Sequence, residues 1–411
     1  MIKNINQKNC SANDGEEDDV FITNTSAVDS RRKFIKMAGA SLALLTIPMG
    51  SSVAFAAGKN TPKPKIVWVL LRGALDSLHA IVPTGDSHYK KLRPKLSSSF
   101  KEPLLALDHN FALHPALKQC HQWYKEQALT PIVAVSSGYP RRSHFDAQDF
   151  LETGLGDIDH DTGWLARAVD VKNKRALAVA RATPISLRSS DNVNTWYPSN
   201  LISAEDDIYE ALNGLYKNDE QLQSTLASGL MVKEMAMGAQ SKNQKKKGKF
   251  IDLSKACAKL LRGDEGVDCA MLELGGWDTH NNQANRLNNK LSELDDGLAQ
   301  LQLGLADEWK NTVVIVATEF GRTAKENGTL GTDHGTGSAL FLAGGALKGG
   351  SVKGEWPGLS QDELFKKRDL MPTTNSFSWI ANVLAQHWQF TDEELKQVFP
   401  HVDSYKESLI R

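Results

Sequence analysis

The sequence predicts an α/β fold in which a mostly parallel central sheet is sandwiched between helices. Three observations predict it. Val313–Ala317 is an unbroken apolar, β-branched run, the pattern of a central strand covered on both faces. Ala270–Leu274 and Ile66–Leu71 repeat it, and each of the three runs ends in glycine and charge, at Glu319–Arg322, Gly275–His280 and Arg72–Ser77. Stretches of helical spacing alternate with these runs, an order that is βαβ-like and favours parallel pairing. Ligands of open sheets bind beyond the carboxyl ends of the strands, where these polar clusters fall.

Taken in order, the chain begins with a polar, acidic stretch followed by Ser30-Arg31-Arg32-Lys33-Phe34-Ile35-Lys36, an apolar segment from Met37 to Met49, and Ala54-Phe55-Ala56. This resembles a twin-arginine export signal with a small-residue cleavage site. Residues 1–57 are therefore expected to be a signal with a polar extension, the twin-arginine machinery a partner, and the mature chain periplasmic or otherwise exported. Pro48, Gly50, Ser51 and Ser52 interrupt the apolar segment before the ~20 residues a membrane span needs, so no stable anchor is expected.

Residues 58–411 then form the α/β domain. Ile66–Leu71 is its first strand, and Leu113–Tyr124, opened by His114-Pro115, has helical spacing. Pro131–Val135 is a second strand; after a turn, Ser143 is placed to cap a helix that begins at His144. Pro83–Pro94 reads as irregular, and Arg175–Ala182 as a strand. Ala204–Leu215 and Glu220–Met237 read as helices of a largely helical insertion at about 185–250. Ser241–Lys249 carries five lysines and no apolar residue, the composition of a solvated loop. Phe250–Leu261 and Leu287–Trp309 are further helices, the second with a leucine stripe from Leu287 to Leu305 that marks a core-facing side. Ser338–Ala343 is another strand. The glycine-rich turn at Gly344–Gly354 lacks the Gly-Lys-Ser/Thr ending of a phosphate-binding loop. Thr374–Trp388 is an amphipathic helix, and Thr391 opens the last one with a capping box.

A length of 411 residues with 41% hydrophobic content supports a substantial core. The formal charge of −1 provides no global field to select nucleic acid, so no nucleic-acid partner is expected. Cys120, Cys257 and Cys269 follow the signal; without a Cys-x-x-Cys pair they read as free, buried thiols, and the fold rests on its core.

The polar strand ends carry the chemistry. Asp278, His280, Glu319 and His334 form an Asp, His, Glu, His set suited to a divalent metal, with Zn, Mn, Mg and Ca not distinguished. The Arg-Arg signal, LLRGALDSL, YPRRSHFDAQDFLETG, LELGGWDTH, ATEFGRT and DHGTGSALFLAGGAL, in that order, resemble an exported bacterial family of unknown function in the alkaline phosphatase and sulfatase superfamily. The resemblance implies an alkaline phosphatase-like fold, two metals, and a nucleophile at a helix N-terminus. Asp278, His280 and His334 then match one metal site, at a closer Asp-x-His spacing than is usual. The other site is eroded: Arg72-Gly73 stands where Asp-Gly is usual and Glu319-Phe320-Gly321 where Asp-His-Gly is usual, leaving Glu319 and Asp76 as its candidate ligands. The nucleophile's place falls at His144, with Ser143 beside it; Ser143 is an attacking hydroxyl or only an N-cap, and His144 a metal ligand or a proton donor. Arg72, Arg142 and Arg322 are candidates for binding substrate oxygens, and Asp333 for orienting the His334 ring. The expected function is an exported metal-dependent hydrolase of a phosphate or sulfate ester. The alternative is a non-catalytic exported binding or scaffold protein that keeps the fold and at most one metal, and takes an anionic ester or glycan.

Overall fold

The computed structural model describes residues 63–198, 206–237, 249–262 and 266–411. The expected export signal, and the lysine-rich stretch as far as residue 248, lie outside the described residues. The main sheet has eight strands, β1 (Lys65–Arg72), β2 (Leu129–Ser136), β3 (Ala176–Val179), β4 (Val193–Trp196), β5 (Cys269–Gly275), β6 (Thr312–Thr318), β7 (Ser338–Ala343) and β8 (Thr374–Asn375). Their order is β8-β2-β7-β6-β1-β5-β3-β4. All pairings are parallel except those of β7, which runs antiparallel to β2 and β6. The fold is thus the expected α/β architecture with a mostly parallel sheet.

The longer helices are α1 (Lys118–Lys125), α2 (His144–Thr153), α3 (Trp164–Val171), α4 (Asp206–Leu215), α5 (Glu220–Met237), α6 (Phe250–Leu261), α7 (Gln283–Leu305), α8 (Ser376–His387) and α9 (Asp392–Val398). Successive side chains of a strand point to opposite faces, which explains why the central runs are apolar throughout. Ile66, Trp68 and Leu70 pack with residues of α2, α3 and α8, whereas Val67, Val69 and Leu71 pack with residues of α1, α6 and α7. The leucine stripe of α7 lies in the second cluster, with every member from Leu287 to Leu305 at most 2% exposed. The three described cysteines are free and buried.

Several boundaries differ from the sequence reading, for local and tertiary reasons. The helix expected from Leu113 begins at Lys118, because His114 Nδ1 accepts the Ala116 amide in a turn. Asp295, from α7, then accepts the Gln119 and Cys120 amides at 2.8 and 2.9 Å and caps α1 across the fold. Asp86 accepts the His88 amide and starts a short helix, Ser87–Leu92, inside the stretch that reads as irregular. The insertion opens with a 3-10 turn, Ile185–Leu187, and the edge strand β4 before its longer helices. α7 ends four residues before Trp309, at Leu305; Ala306 adopts φ +48° and the chain continues as a 3-10 turn.

Three histidines, His79, His114 and His387, are buried. Burial lowers His79 to about 3, and His114 and His387 to about 4, from an ordinary 6.5. The unfolded chain therefore binds more protons than the native one in this range. The stability from keeping these rings neutral is present above pH 6.5 and is lost as the pH falls towards about 4. Urea unfolding between pH 7 and pH 4 should show this decline. His387→Gln, which keeps a donor towards the Lys65 carbonyl, should flatten it; an unchanged slope would contradict the assignment.

Candidate metal centre

β1, β5 and β6 lie side by side, so their carboxyl ends bring three polar segments to one rim. Close backbone approach fixes those segments. Gly73, at φ +116°, lies so near the next turn that a Cβ there would meet the Asp278 amide nitrogen at 2.6 Å. Trp277, buried beneath the turn, donates its indole N–H to the Leu274 carbonyl at 2.7 Å. Beyond β6, Arg322 and His334 face each other in an antiparallel bridge; a Cβ on Gly321 would meet the Gly337 carbonyl oxygen at 1.8 Å. Glycine at 321 is what allows the loop carrying His334 to lie against the end of β6.

The result is a convergence of four side chains. His334 Nε2 lies 2.9 Å from His144 Nε2 and 3.1 Å from His280 Nε2. Asp278 Oδ1 is 3.0 Å from His280 Nε2 and 3.4 Å from His334 Nε2, and Asp278 Oδ2 is 3.5 Å from His144 Nε2. Among the described residues, one group of ligand atoms, from His144, Asp278 and His334, falls within mutual reach of a metal ion. His280 adjoins it through the contacts just given.

Outer partners fix which nitrogen of each ring points inward. His334 Nδ1 lies 3.0 Å from the Arg142 carbonyl, which only accepts, so Nδ1 carries the proton. His144 Nδ1 faces Glu319 Oε1 at 2.7 Å, and His280 Nδ1 faces Asp333 Oδ1 at 3.2 Å. Both carboxylates hold a proton on the nitrogen they face. With a metal bound, all three Nε2 atoms would present lone pairs to it beside the Asp278 carboxylate. Such a donor set fits a cation and little else.

Charge on the cluster is tuned locally. Burial opposes ionisation of Asp278, but the Arg322 guanidinium, 2.6 Å from Oδ1, outweighs it and holds the carboxyl below its usual range. Burial, reinforced by the neighbouring His144, holds His334 below the ordinary imidazole value, which keeps its lone pair available. The Asn327 amide hydrogen bond, followed by His280, keeps Asp333 low.

The remaining predicted residues take other places. Glu319 does not face the cluster with an open oxygen: Oε1 accepts the Gly73 and Ala74 amides at 2.8 and 3.1 Å besides the His144 ring, and Thr318 Oγ1 sits 2.8 Å from Oε2. Asp76, 1% exposed, pairs with Arg93 at 2.7 Å and accepts from Gln283. Asp333 orients His280, not His334. Ser143 is the N-cap of α2, its Oγ accepting the Asp146 amide at 3.4 Å. Arg322 uses Nη1 on Asp278 and Nε and Nη2 on Thr332, so its guanidinium is committed to the protein. Arg72 pairs with Glu273 at 3.0 Å. Arg142 donates to Asp369 at 2.6 Å. Phe320 stacks on the His144 ring, with centroids 4.8 Å apart. Asp369 and Arg368 were not singled out by the sequence; the charged FKKRD stretch that carries them is the one signal that marks them.

Among the described residues no helix is long and apolar enough to cross a membrane. Among solved structures, the chain is similar to the alkaline phosphatase from the Antarctic bacterium TAB5, with 13% identity, a TM-score of 0.34, and coverage of 72% of this chain and 95% of that one. It is also similar to the C-terminal periplasmic domain of EcEptC from Escherichia coli, with 10% identity, a TM-score of 0.36, and coverage of 68% and 72%. A third likeness is to BT33494S-sulf of Bacteroides thetaiotaomicron, with 11% identity, a TM-score of 0.36, and coverage of 68% and 66%. No curated protein matches the sequence. The family described as "Protein of unknown function (DUF1501)" matches residues 63–399, and the chain belongs to that family.

Proposed function

We propose that the chain is an exported, metal-dependent hydrolase of phosphate or sulfate esters. The observation that carries the reading is the convergence of three imidazole lone pairs and one carboxylate, each ring oriented by its own outer partner. Three imidazoles with a single carboxylate suit zinc or another transition ion better than Mg or Ca, which prefer oxygen donors. A divalent cation held there would polarise an ester oxygen and stabilise the charge that develops on it. Arg72 and Arg142, with side chains 41% and 36% exposed, are the predicted arginines able to donate to ester oxygens, because Arg322 is already committed. Ser143 adjoins a metal ligand and makes only a long cap contact, so its hydroxyl is the first candidate for the nucleophile. The export limb rests on Arg31-Arg32 and the apolar segment after them, and fractionation of cells expressing the whole chain tests it.

A second reading has its own support. Asp76 and Glu319, the two candidates for a further metal, are both engaged by protein partners. A binding protein holding one metal and an anionic ligand would look the same. Metal analysis of the purified mature protein, followed by assay on a panel of phosphate and sulfate esters, separates the two. Equimolar metal with turnover supports the hydrolase; metal without turnover of any ester selects the binding protein. Metal-free protein that stays folded and takes up no added zinc removes both.

A further inference from the structure

A cavity of about 390 Å³, within the size range of small-molecule sites, is lined by Tyr139, Pro140, Phe365, Lys366, Pro372 and, two residues after His334, Thr336. Four of these six present rings. Its open floor is at Gly138, φ +90°, where the nearest atom to a built Cβ is the Asn375 amide nitrogen at 3.9 Å. One residue joins this cavity to the cluster. The Arg142 carbonyl accepts the His334 ring proton, while the Arg142 guanidinium and the Thr336 hydroxyl both bond the same oxygen of Asp369, at 2.6 and 2.8 Å. The guanidinium and the Thr336 hydroxyl are thus anchored on one buried oxygen. Asp369 is 0% exposed and also receives Arg368 Nη1 at 3.1 Å, so one buried carboxylate holds two half-exposed guanidinium groups and leaves a positive charge in excess.

The opposite wall is held in a costly conformation. Lys366 and Lys367 are consecutive L-residues in the left-handed region, at φ +51° and +56°, within a turn closed by Phe365 N–H to Asp369 O at 2.9 Å. L-residues are strained in this region, and strain of this kind concentrates where geometry serves a ligand. Here it fixes Phe365 as a wall and sets the Lys366 ammonium 5.3 Å above its ring.

We infer that this cavity is the subsite for the alcohol part of the ester, and that it takes a sugar ring bearing a second oxyanion, sulfate or phosphate. The inference rests on the hydrolase reading for the word "ester", but its binding chemistry stands apart from turnover. Ring walls and hydroxyls suit the apolar faces and hydroxyl groups of a sugar, while the Lys366 ammonium suits the oxyanion. With a chain charge of −1, the selection is local and not a property of the whole surface.

Calorimetric titration of the metal-loaded mature protein with glucose 6-sulfate, glucose 6-phosphate, glucose and inorganic sulfate tests it. One of the two sugar oxyanions should bind about 10-fold or more tighter than both glucose and inorganic sulfate, as one charge-assisted contact implies. Whichever is preferred identifies the oxyanion. Lys366→Gln and Phe365→Ala should each weaken that binding about 10-fold without changing metal content, and Lys125→Gln, a surface charge on α1, should not. If Phe365→Ala does not fold, the exposed Lys366 carries the test. Equal binding of glucose and its oxyanions, or wild-type affinity in Lys366→Gln, would overturn the subsite. Selective binding in a protein that hydrolyses no ester would retain the subsite and remove the hydrolase.

Discussion

Asp76→Ala is expected to destabilise the fold by about 3–5 kcal/mol and to leave the metal content of the folded protein unchanged. Asp76 and Arg93 are 1% and 0% exposed, and the guanidinium also donates through Nε and Nη2 to the Ala324 and Thr323 carbonyls at 2.8 Å. Removing the carboxylate strands a buried cation that has no route to water. Burial alone would raise the Asp76 pKa, but the Arg93 charge and hydrogen bond override it and hold the carboxyl below its ordinary 3.8. The pair's stabilisation is thus present above that value and lost as the pH falls through the native one. Urea unfolding and metal analysis on the same preparation check both halves. Lost metal with unchanged stability would return Asp76 to the metal site.

Asp278→Ala should act mainly on the metal, with affinity reduced by more than the roughly 10–100-fold cost of losing an outer partner. Its loss of stability should be smaller than that of Asp76→Ala, because the Asp278 side chain is 41% exposed and its removal opens Arg322 to water. Asp278 is the one anion among the four converging groups, and it also neutralises Arg322 at 2.6 Å. Without it, a buried guanidinium would face the cation with no carboxylate between them. Glu319→Gln is the internal comparison: it keeps an oxygen for the Gly73 and Ala74 amides but weakens the hold on the His144 ring, and should cost about 10–100-fold. Competition against a chelator of known affinity ranks the variants. Equal affinity in Asp278→Ala and wild type would contradict the assignment.

What the sequence made legible was local chemistry. Uninterrupted apolar runs announced β1, β5, β6 and β7, and the Ser143 and Thr391 caps are where hydroxyl-bearing residues precede a helix. Asp278, His280 and His334 stood out because glycine and charge follow apolar runs. Contacts made only after folding were not legible. Asp295 capping α1 lies 175 and 176 residues from the amides it accepts. Glu319 looks like a ligand until the β1 turn delivers two amides to it. Nothing in the spacing of His144 shows that Phe320 and Glu319 would turn its Nε2 inward. The Asp369 anchor was hidden for the same reason: its partners Arg142 and Thr336 lie 227 and 33 residues away.

An anomalous-scattering map of crystals of the mature, metal-loaded protein addresses the central claim without reference to turnover. A single strong peak bounded by His144, Asp278, His280 and His334 is the predicted result. No peak there, or one seated against Asp76 or Glu319, would contradict it.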